Sequence, residues 1–199
     1  FLKFPINYSI VTNFDYEHLD YYKSYKNLEN SFIEFINKTP PTGKSIICID
    51  NKNIKKILNK IKNKNILTYG ENKEAAYRVN NIKYNFDNTS FDLTFKDREM
   101  KKRKIKNINV KLLGKHNALN AAAAFIVCLN LGANPKTIKQ SLKNFSGVQR
   151  RMTKVFSRNK NDFYDDYAHH PTEISSILEG VRNVSDKRKI VSVFEPHRY

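Results

Sequence analysis

The sequence predicts an α/β fold, with a mostly parallel sheet covered by helices and a small antiparallel part, and three observations carry that prediction. Short β-branched runs alternate with stretches whose apolar residues recur at helical spacing, the period changes to two over one later segment, and Gly70, Gly114 and Gly132 punctuate the changes of pattern.

Residues 9–12 read as a short buried strand, and Leu28, Phe32, Phe35 and Ile36 then mark one face of an amphipathic helix. Residues 46–49 form a second strand-length run, Ile54, Ile57, Leu58 and Ile61 a second helix face, and residues 65–69 a third strand ending at Gly70. Such alternation is that of βαβ units, in which a helix returns the chain so that the next strand runs parallel to the last. From about residue 77 to 113, Phe91, Leu93 and Phe95 alternate with polar residues, while Asn80-Asn81 and Asp87-Asn88 supply turn chemistry. An antiparallel meander, inserted or appended, is expected there. After Gly114, Leu119, Ala122, Ala123 and Ile126 make a helix face of mostly small residues that permits close packing, closed by Gly132. Asn134 then offers a cap, Pro135 a first helical position, and Ile138, Leu142 and Phe145 the buried side of a further helix.

Ser146-Gly147-Val148 interrupts that pattern, and from Arg150 a new strand-loop-helix-strand series begins, so two domains are expected, residues 1–147 and 148–199. In the second, Asp162-Phe163-Tyr164 reads as a strand, Pro171 as a first helical position, and Ile174, Ile177, Leu178 and Val181 as the helix face. Residues 190–194 read as another buried strand.

At 199 residues and 40% hydrophobic content, the chain is long enough to bury a core of ordinary size. No run approaches the roughly 20 apolar residues that span a bilayer, so membrane insertion is not expected. Cys48 and Cys128 each sit inside an apolar run, which argues for reduced thiols and against a disulfide or metal site. The formal charge of +17 suits attraction to phosphate polymers, yet the lysines are scattered along the whole chain. Lys101-Lys102-Arg103-Lys104 is a block, read as a solvated hairpin tip. No nucleic-acid partner is expected; a basic nucleic-acid-binding module is the competing class, and it requires aromatics interleaved with cations on one face. Oligomeric state is not legible. Both ends look cut, so the chain reads as an internal piece of a longer protein.

The chemistry concentrates at element boundaries. Asp165-Asp166-Tyr167-Ala168-His169-His170-Pro171 crowds two carboxylates, a phenol and two imidazoles between a strand and a helix, where open α/β sheets bind ligands. The alternative there is a solvated acidic turn with a capping histidine. A second cluster, residues 12–20, follows the first strand, and a third is Gly114-Lys115-His116-Asn117-Ala118-Leu119-Asn120. Asn117 and Asn120 are three apart, so a helix turns both amides to one side, where they can donate and accept as a purine edge requires; a helix cap is the plainer role. Thr42-Gly43-Lys44-Ser45 imitates the end of a phosphate-binding loop, but Lys38 occupies the place of its first glycine and a strand follows it instead of a helix.

Together these residues resemble one family, the Mur ligases. The resemblance runs through Ile10-Val11-Thr12-Asn13 with His18 and Asp20, Gly114 with residues 116–123, Phe145 with Gly147 and Arg150-Arg151, residues 165–173, and Phe194 with Pro196-His197-Arg198-Tyr199. It implies a central ATP-binding domain followed by part of a Rossmann-like C-terminal domain. It further implies a bacterial, cytoplasmic ligase of peptidoglycan synthesis that uses ATP and Mg²⁺ to join L-alanine to the carboxylate of UDP-N-acetylmuramate through an acyl phosphate. By the same resemblance His18 is a magnesium ligand, His116, Asn117 and Asn120 lie on the adenine side, and Asp165 and Asp166 belong to the ATP side of the cleft. Arg151 is implied to approach the phosphates when the domains close. Tyr167, His170, His197 and Arg198 are implied to form the wall receiving alanine and the muramate carboxylate, with His170, His197 and Arg198 taking part in catalysis. Arg198 has the planar fork that a carboxylate accepts in two parallel hydrogen bonds.

Glu195 before Pro196 is similar to the branch of the family that recycles murein tripeptide, whereas His197-Arg198-Tyr199 matches the alanine-adding branch. The recycling branch is therefore the alternative, and an inactive relic kept as an interaction partner is a third reading. Without the family's phosphate-cradling loop, this stretch alone is expected to show no turnover and at most weak ATP binding.

Overall fold

Four strands, β1 (Tyr8–Val11), β2 (Lys44–Cys48), β3 (Ile66–Gly70) and β4 (Tyr77–Asn85), lie side by side in parallel, with Val11 opposite Ile47, Ile47 opposite Thr68, and Gly70 opposite Arg78. The computed structural model describes residues 1–15, 18–85 and 87–195. The first crossover carries α1 (Leu19–Tyr22) and α2 (Tyr25–Asn37), and the second carries α3 (Lys52–Ile57), which tightens into a 3₁₀ turn at Leu58–Lys60. Side-chain oxygens start the helices: Ser24 accepts from the Asn27 N–H at α2, and Asn51 accepts from the Asn53 and Ile54 N–H groups at α3. A buried set of hydroxyls, Ser9, Thr39 and Ser45, joined at 2.9–3.0 Å, ties β1 and β2 to the end of α2.

Two further strands, β5 (Asn88–Lys96) and β6 (Lys102–Val110), continue the sheet antiparallel, giving one six-stranded sheet in chain order. The antiparallel meander is thus continuous with the parallel part. Strand β4 serves both, pairing with β3 at Tyr69 with Tyr77 and at Gly70 with Arg78, and with β5 along its length. Asn80-Asn81, expected as a turn, lies inside β4: between the pairs Asn80 with Asp92 and Lys83 with Ser90, two residues of β4, Asn81 and Ile82, pass one of β5, Phe91, a bulge in which Asn81 takes φ 53°. A positive-φ asparagine serves a bulge as well as a turn, which is why the local signal misled.

Period two along β2 divides the core. Ile46 and Cys48 face one side, with Tyr69, Val79, Phe91 and Leu93, under α4 (Lys115–Asn130), whose Ala118, Ala122, Phe125 and Ile126 are fully buried. Ile47 faces the other side with Val11, Phe14, Ile36, Ile54 and Ile57, under α2 and α3. Helix α5 (Pro135–Asn144), capped by Asn134, follows and packs along β6.

The chain then makes a two-stranded antiparallel sheet, β7 (Thr153–Arg158) with β8 (Asn161–Asp165), and a helix, α6 (Pro171–Ser185). Strand β7 was not expected; the turn at Asn159-Lys160, with φ 50° and 63°, has the two positive dihedrals of a type I′ hairpin. Residues 190–194 do not form the expected strand, and Val193 is 95% exposed. Their composition suits a strand, but among the described residues they pair with no strand of either sheet. Among the described residues no helix is long and apolar enough to cross a membrane.

Candidate active site

The parallel strands all end at one edge of the sheet, and the loops leaving that edge converge. After β1 come Thr12 and Asn13; beyond β2 comes Asp50; at the end of β3 stands Tyr69. Helix α4 begins at the same edge because Gly114, at φ 96°, turns the chain sharply from β6 into its first turn. A Cβ there would stand 2.9 Å from the His116 ring.

The second unit closes this edge from the other side. Helix α6 lies against the start of α4, where a Cβ on Gly180 would stand 3.1 Å from the Gly114 Cα. The crevice between holds about 720 Å³, in the range of small-molecule sites. His116, Asn117 and Asn120 line one wall; Arg151, Asp166 and Glu173 line the facing one.

His116 and Asn117 are locked together. The Asn117 amide nitrogen donates to the Leu113 carbonyl at 2.8 Å, which fixes its orientation, and lies 3.0 Å from His116 Nε2. An amide nitrogen only donates, so Nε2 accepts and the ring proton sits on Nδ1. Burial pushes the His116 pKa below 6.5, Asp166 opposes that shift and Arg151 reinforces it, so the ring is neutral at physiological pH. The two asparagines therefore act differently: Asn117 spends its amide nitrogen orienting the histidine, whereas Asn120, one turn on, is exposed on the cleft wall.

On the facing wall, Asp166 holds its own loop, accepting from the Met152 and Ala168 N–H groups at 2.7 Å each, and Arg151 Nη1 stands 3.9 Å from Glu173. The Tyr167 ring lies under two guanidinium groups, 5.1 Å from that of Arg150 and 5.9 Å from that of Arg151. Arg150 also pairs with Asp165 at 3.6 Å.

Of the residues named from sequence, His116, Asn117, Asn120, Arg151 and Asp166 thus share one crevice, and Asp165, Tyr167 and His170 lie outside its lining. His170 caps α6, accepting from the Thr172 N–H at 3.3 Å, the role the plainer sequence reading gave to a histidine in this loop. His18, at φ 55°, starts α1 through its carbonyl, which accepts from the Tyr21 and Tyr22 N–H groups, and it too is outside the lining. Among the described residues no three His, Cys, Asp or Glu side chains converge on a point that would hold a metal ion. His197 and Arg198 lie outside the described residues.

Sequence reasoning missed the floor of the crevice. Asp50 accepts from the Glu71 and Asn72 N–H groups at 2.8 and 2.9 Å, joining the ends of β2 and β3, and Glu71 pairs with Lys115 at the head of α4. Cys48 and Tyr69 lie beneath, thiol and phenol against each other, and burial raises both of their pKa values. The available signal was position, since Asp50 and Tyr69 stand at the carboxyl ends of their strands.

Comparisons with known proteins identify the family. Residues 2–128 match the Mur ligase middle domain and residues 150–198 match the Mur ligase, glutamate ligase domain. The UDP-N-acetylmuramate–L-alanine ligase of Pelagibacter ubique is 46% identical over 198 residues, and that of Rhodopseudomonas palustris is 40% identical over 200; each match takes in 100% of this chain and 43% of the relative. The chain therefore spans less than half the length of these relatives. The crystal structure of the UDP-N-acetylmuramate-alanine ligase of Thermotoga maritima superposes with a TM-score of 0.78 at 26% identity, covering 99% of this chain and 43% of that one. A murein peptide ligase of Psychrobacter arcticus shares the fold at a TM-score of 0.59. A middle-domain match over most of the chain, with the second domain following in order across a common crevice, means that the chain belongs to the Mur ligase family.

Proposed function

We propose that this chain forms the nucleotide-binding centre of an ATP-dependent ligase that joins L-alanine to the carboxylate of UDP-N-acetylmuramate in peptidoglycan synthesis. The carrying observation is the crevice itself, where groups more than thirty positions apart in sequence, His116 to Asn120 and Arg151 to Glu173, face each other. Relatives named for the alanine reaction support this substrate over the recycled tripeptide, as does the closer superposition on an alanine ligase.

The residues suit a nucleotide. A neutral His116 and the exposed Asn120 amide offer donors and acceptors to a purine edge without placing a charge beside it. Arg151, on the facing wall, is a cation for phosphate oxygens, and its partner Glu173 at 3.9 Å holds it loosely enough to be exchanged for a phosphate. Transfer of a phosphoryl group to the muramate carboxylate demands charge neutralisation and positioning more than covalent work by side chains. The acyl phosphate so formed must be kept from water until the amine of alanine attacks, and closure of α6 over the start of α4 serves that end. Magnesium would supply further charge neutralisation. Its donor set is incomplete here, His18 being the one side chain we assign to it, so no step is routed through it. Tyr167 and His170, with His197 and Arg198, are assigned to the substrate side, and Asp165 to the support of Arg150.

We place the hinge near residue 147, between α5 and β7, and the reaction in the bacterial cytoplasm, where ATP is made. The test is an assay of the chain within a protein extended to the length of its relatives. Phosphate release should require both UDP-N-acetylmuramate and L-alanine, and Arg151→Ala should lower kcat by roughly a hundredfold or more, the usual cost of losing one charge-stabilising group. Turnover with a preformed tripeptide, and none with alanine, would move the assignment to the recycling branch.

A further inference from the structure

The opposite end of the same sheet holds a second concavity, larger than the crevice at about 1010 Å³. It lies between the loop before β4, the β5–β6 hairpin tip and the last turn of α4, with Lys44 and Leu67 from the starts of β2 and β3 at its back. The crevice meets the head of α4 and this groove meets its tail at Leu129 and Asn130, so roughly 20 Å of helix separates them at about 1.5 Å per residue.

Six cations line the groove: Lys44, Lys73, Arg78, Lys96, Arg98 and Lys102. None is within ion-pair distance of a carboxylate among the described residues. Its two acids are already neutralised by other cations, Glu74 by Lys55 at 2.6 Å and Asp97 by Arg103 at 2.6 Å. Elsewhere the basic surface is partly self-compensated, with Lys38, Lys60, Lys101 and Lys154 each paired to an acid. Arg78 donates to the Glu71 carbonyl at 3.3 Å, which leaves its charge uncompensated; like charges without carboxylate partners held around one hollow repel one another, and an anion with several charged oxygens relieves that repulsion. The shape selects among anions: a concave groove cannot press all six cations onto a flat bilayer. The aromatic pair here, Tyr77 stacked on Phe95 at 4.8 Å, is largely sunk into the sheet and does not form the ladder of exposed rings that a nucleic-acid strand requires.

We propose that this groove is a second ligand site, separate from the crevice, that takes an oligophosphate of nucleotide size or smaller. The phosphate chain is the recognised chemistry, and its source is either an inorganic polyphosphate or a nucleoside triphosphate.

Calorimetric titration of the chain with inorganic tripolyphosphate at physiological salt tests this. Saturable binding is expected, weakening by about tenfold or more in a combined Arg78→Gln, Arg98→Gln, Lys102→Gln variant, since each charge-assisted contact contributes on the order of a tenfold factor before solvent screening reduces it. Arg98→Gln alone, at the exposed hairpin tip, should shift affinity the same way by less and guards against misfolding of the combined variant. His116→Ala with Asn120→Ala should leave tripolyphosphate binding unchanged. In that crevice variant, retained ATP binding would identify a nucleotide as a source, and its loss with tripolyphosphate still bound would identify the inorganic chain; both support the site. Absence of saturation in the unaltered chain, equal affinity in the combined variant, or saturation by a single-stranded oligonucleotide but not by tripolyphosphate would overturn it.

Discussion

One buried carboxylate organises the antiparallel half of the sheet. Asp92, 7% exposed, accepts from the Asn107 N–H at 2.9 Å through one oxygen, and from the Asn81 amide at 2.8 Å and Lys104 at 3.1 Å through the other. Asn81 and Asn107 both take φ 53°, and each stands at a bulge where its outer strand carries one residue more than β5. Asp92 therefore stabilises two left-handed residues on two neighbouring strands at once. Burial alone would raise its pKa, but the hydrogen bonds from Asn107, Asn81 and Lys104 outweigh that and hold it below 3.8. Asp92→Asn sets an amide nitrogen against one of these donors and should cost about 2 kcal/mol, the usual penalty for a buried donor left without its acceptor. A carboxyl whose folded pKa is depressed contributes its stability above the unfolded value, and that contribution fades as pH falls through the folded one. The gap between Asp92→Asn and the unaltered chain in urea unfolding should thus be full at pH 7 and shrink below 3.8. An equal gap at pH 7 and pH 3 would mean that the ionised form is not what the bulges require.

At the scale of elements, Gly43 shows what a local motif conceals. Thr42-Gly43-Lys44-Ser45 looks like phosphate-loop chemistry, yet the glycine is needed because a Cβ would stand 1.6 Å from the Asn7 carbonyl oxygen where β1 and β2 begin. Gly43→Ala should drive those strand starts apart and lower the melting temperature by several degrees, for a cost of about 2 kcal/mol or more, while ATP affinity stays unchanged. Loss of ATP affinity without loss of stability would restore the phosphate-loop reading. Strand β4, read as part of the antiparallel meander, also pairs parallel with β3, whereas the first three parallel strands and α2 to α6 were legible from their alternating periods. The two bulges were not, since what distinguishes Asn81 in a turn from Asn81 in a bulge is Asp92 on the next strand. Residues 190–194 met the compositional condition for a strand, but strand formation is decided by a neighbouring edge. In the crevice, His116, Asn117 and Asn120 stood out as a clustered motif, whereas Asp50 and Tyr69 are ordinary strand-end residues until three strand ends and a helix start converge on them.

For the molecule as a whole, the decisive contact is between its two units. Gly114 and Gly180 approach so closely that α6 reaches the first turn of α4, and that approach brings the charges of Arg151, Asp166 and Glu179 to bear on His116. The depressed His116 pKa is then partly a property of the assembled pair, and separation of the units would return the ring toward solvent and toward 6.5. Gly180→Val places a branched side chain where a single Cβ is already at 3.1 Å, so α6 must lift from α4 and loosen its contact with β4, while β2, β3 and β5, which α6 does not pack on, keep their packing. Hydrogen exchange should accelerate at residues 115–120 and 171–185 in this variant and stay unchanged in β2, β3 and β5. In the unaltered chain, millimolar ATP with magnesium should slow exchange on both walls together, at 115–120 and at 151–177, as the proposed nucleotide site between them requires. Protection of the α4 wall alone would show that the second unit contributes nothing to the nucleotide, and the crevice would then be a junction between domains without being their shared site.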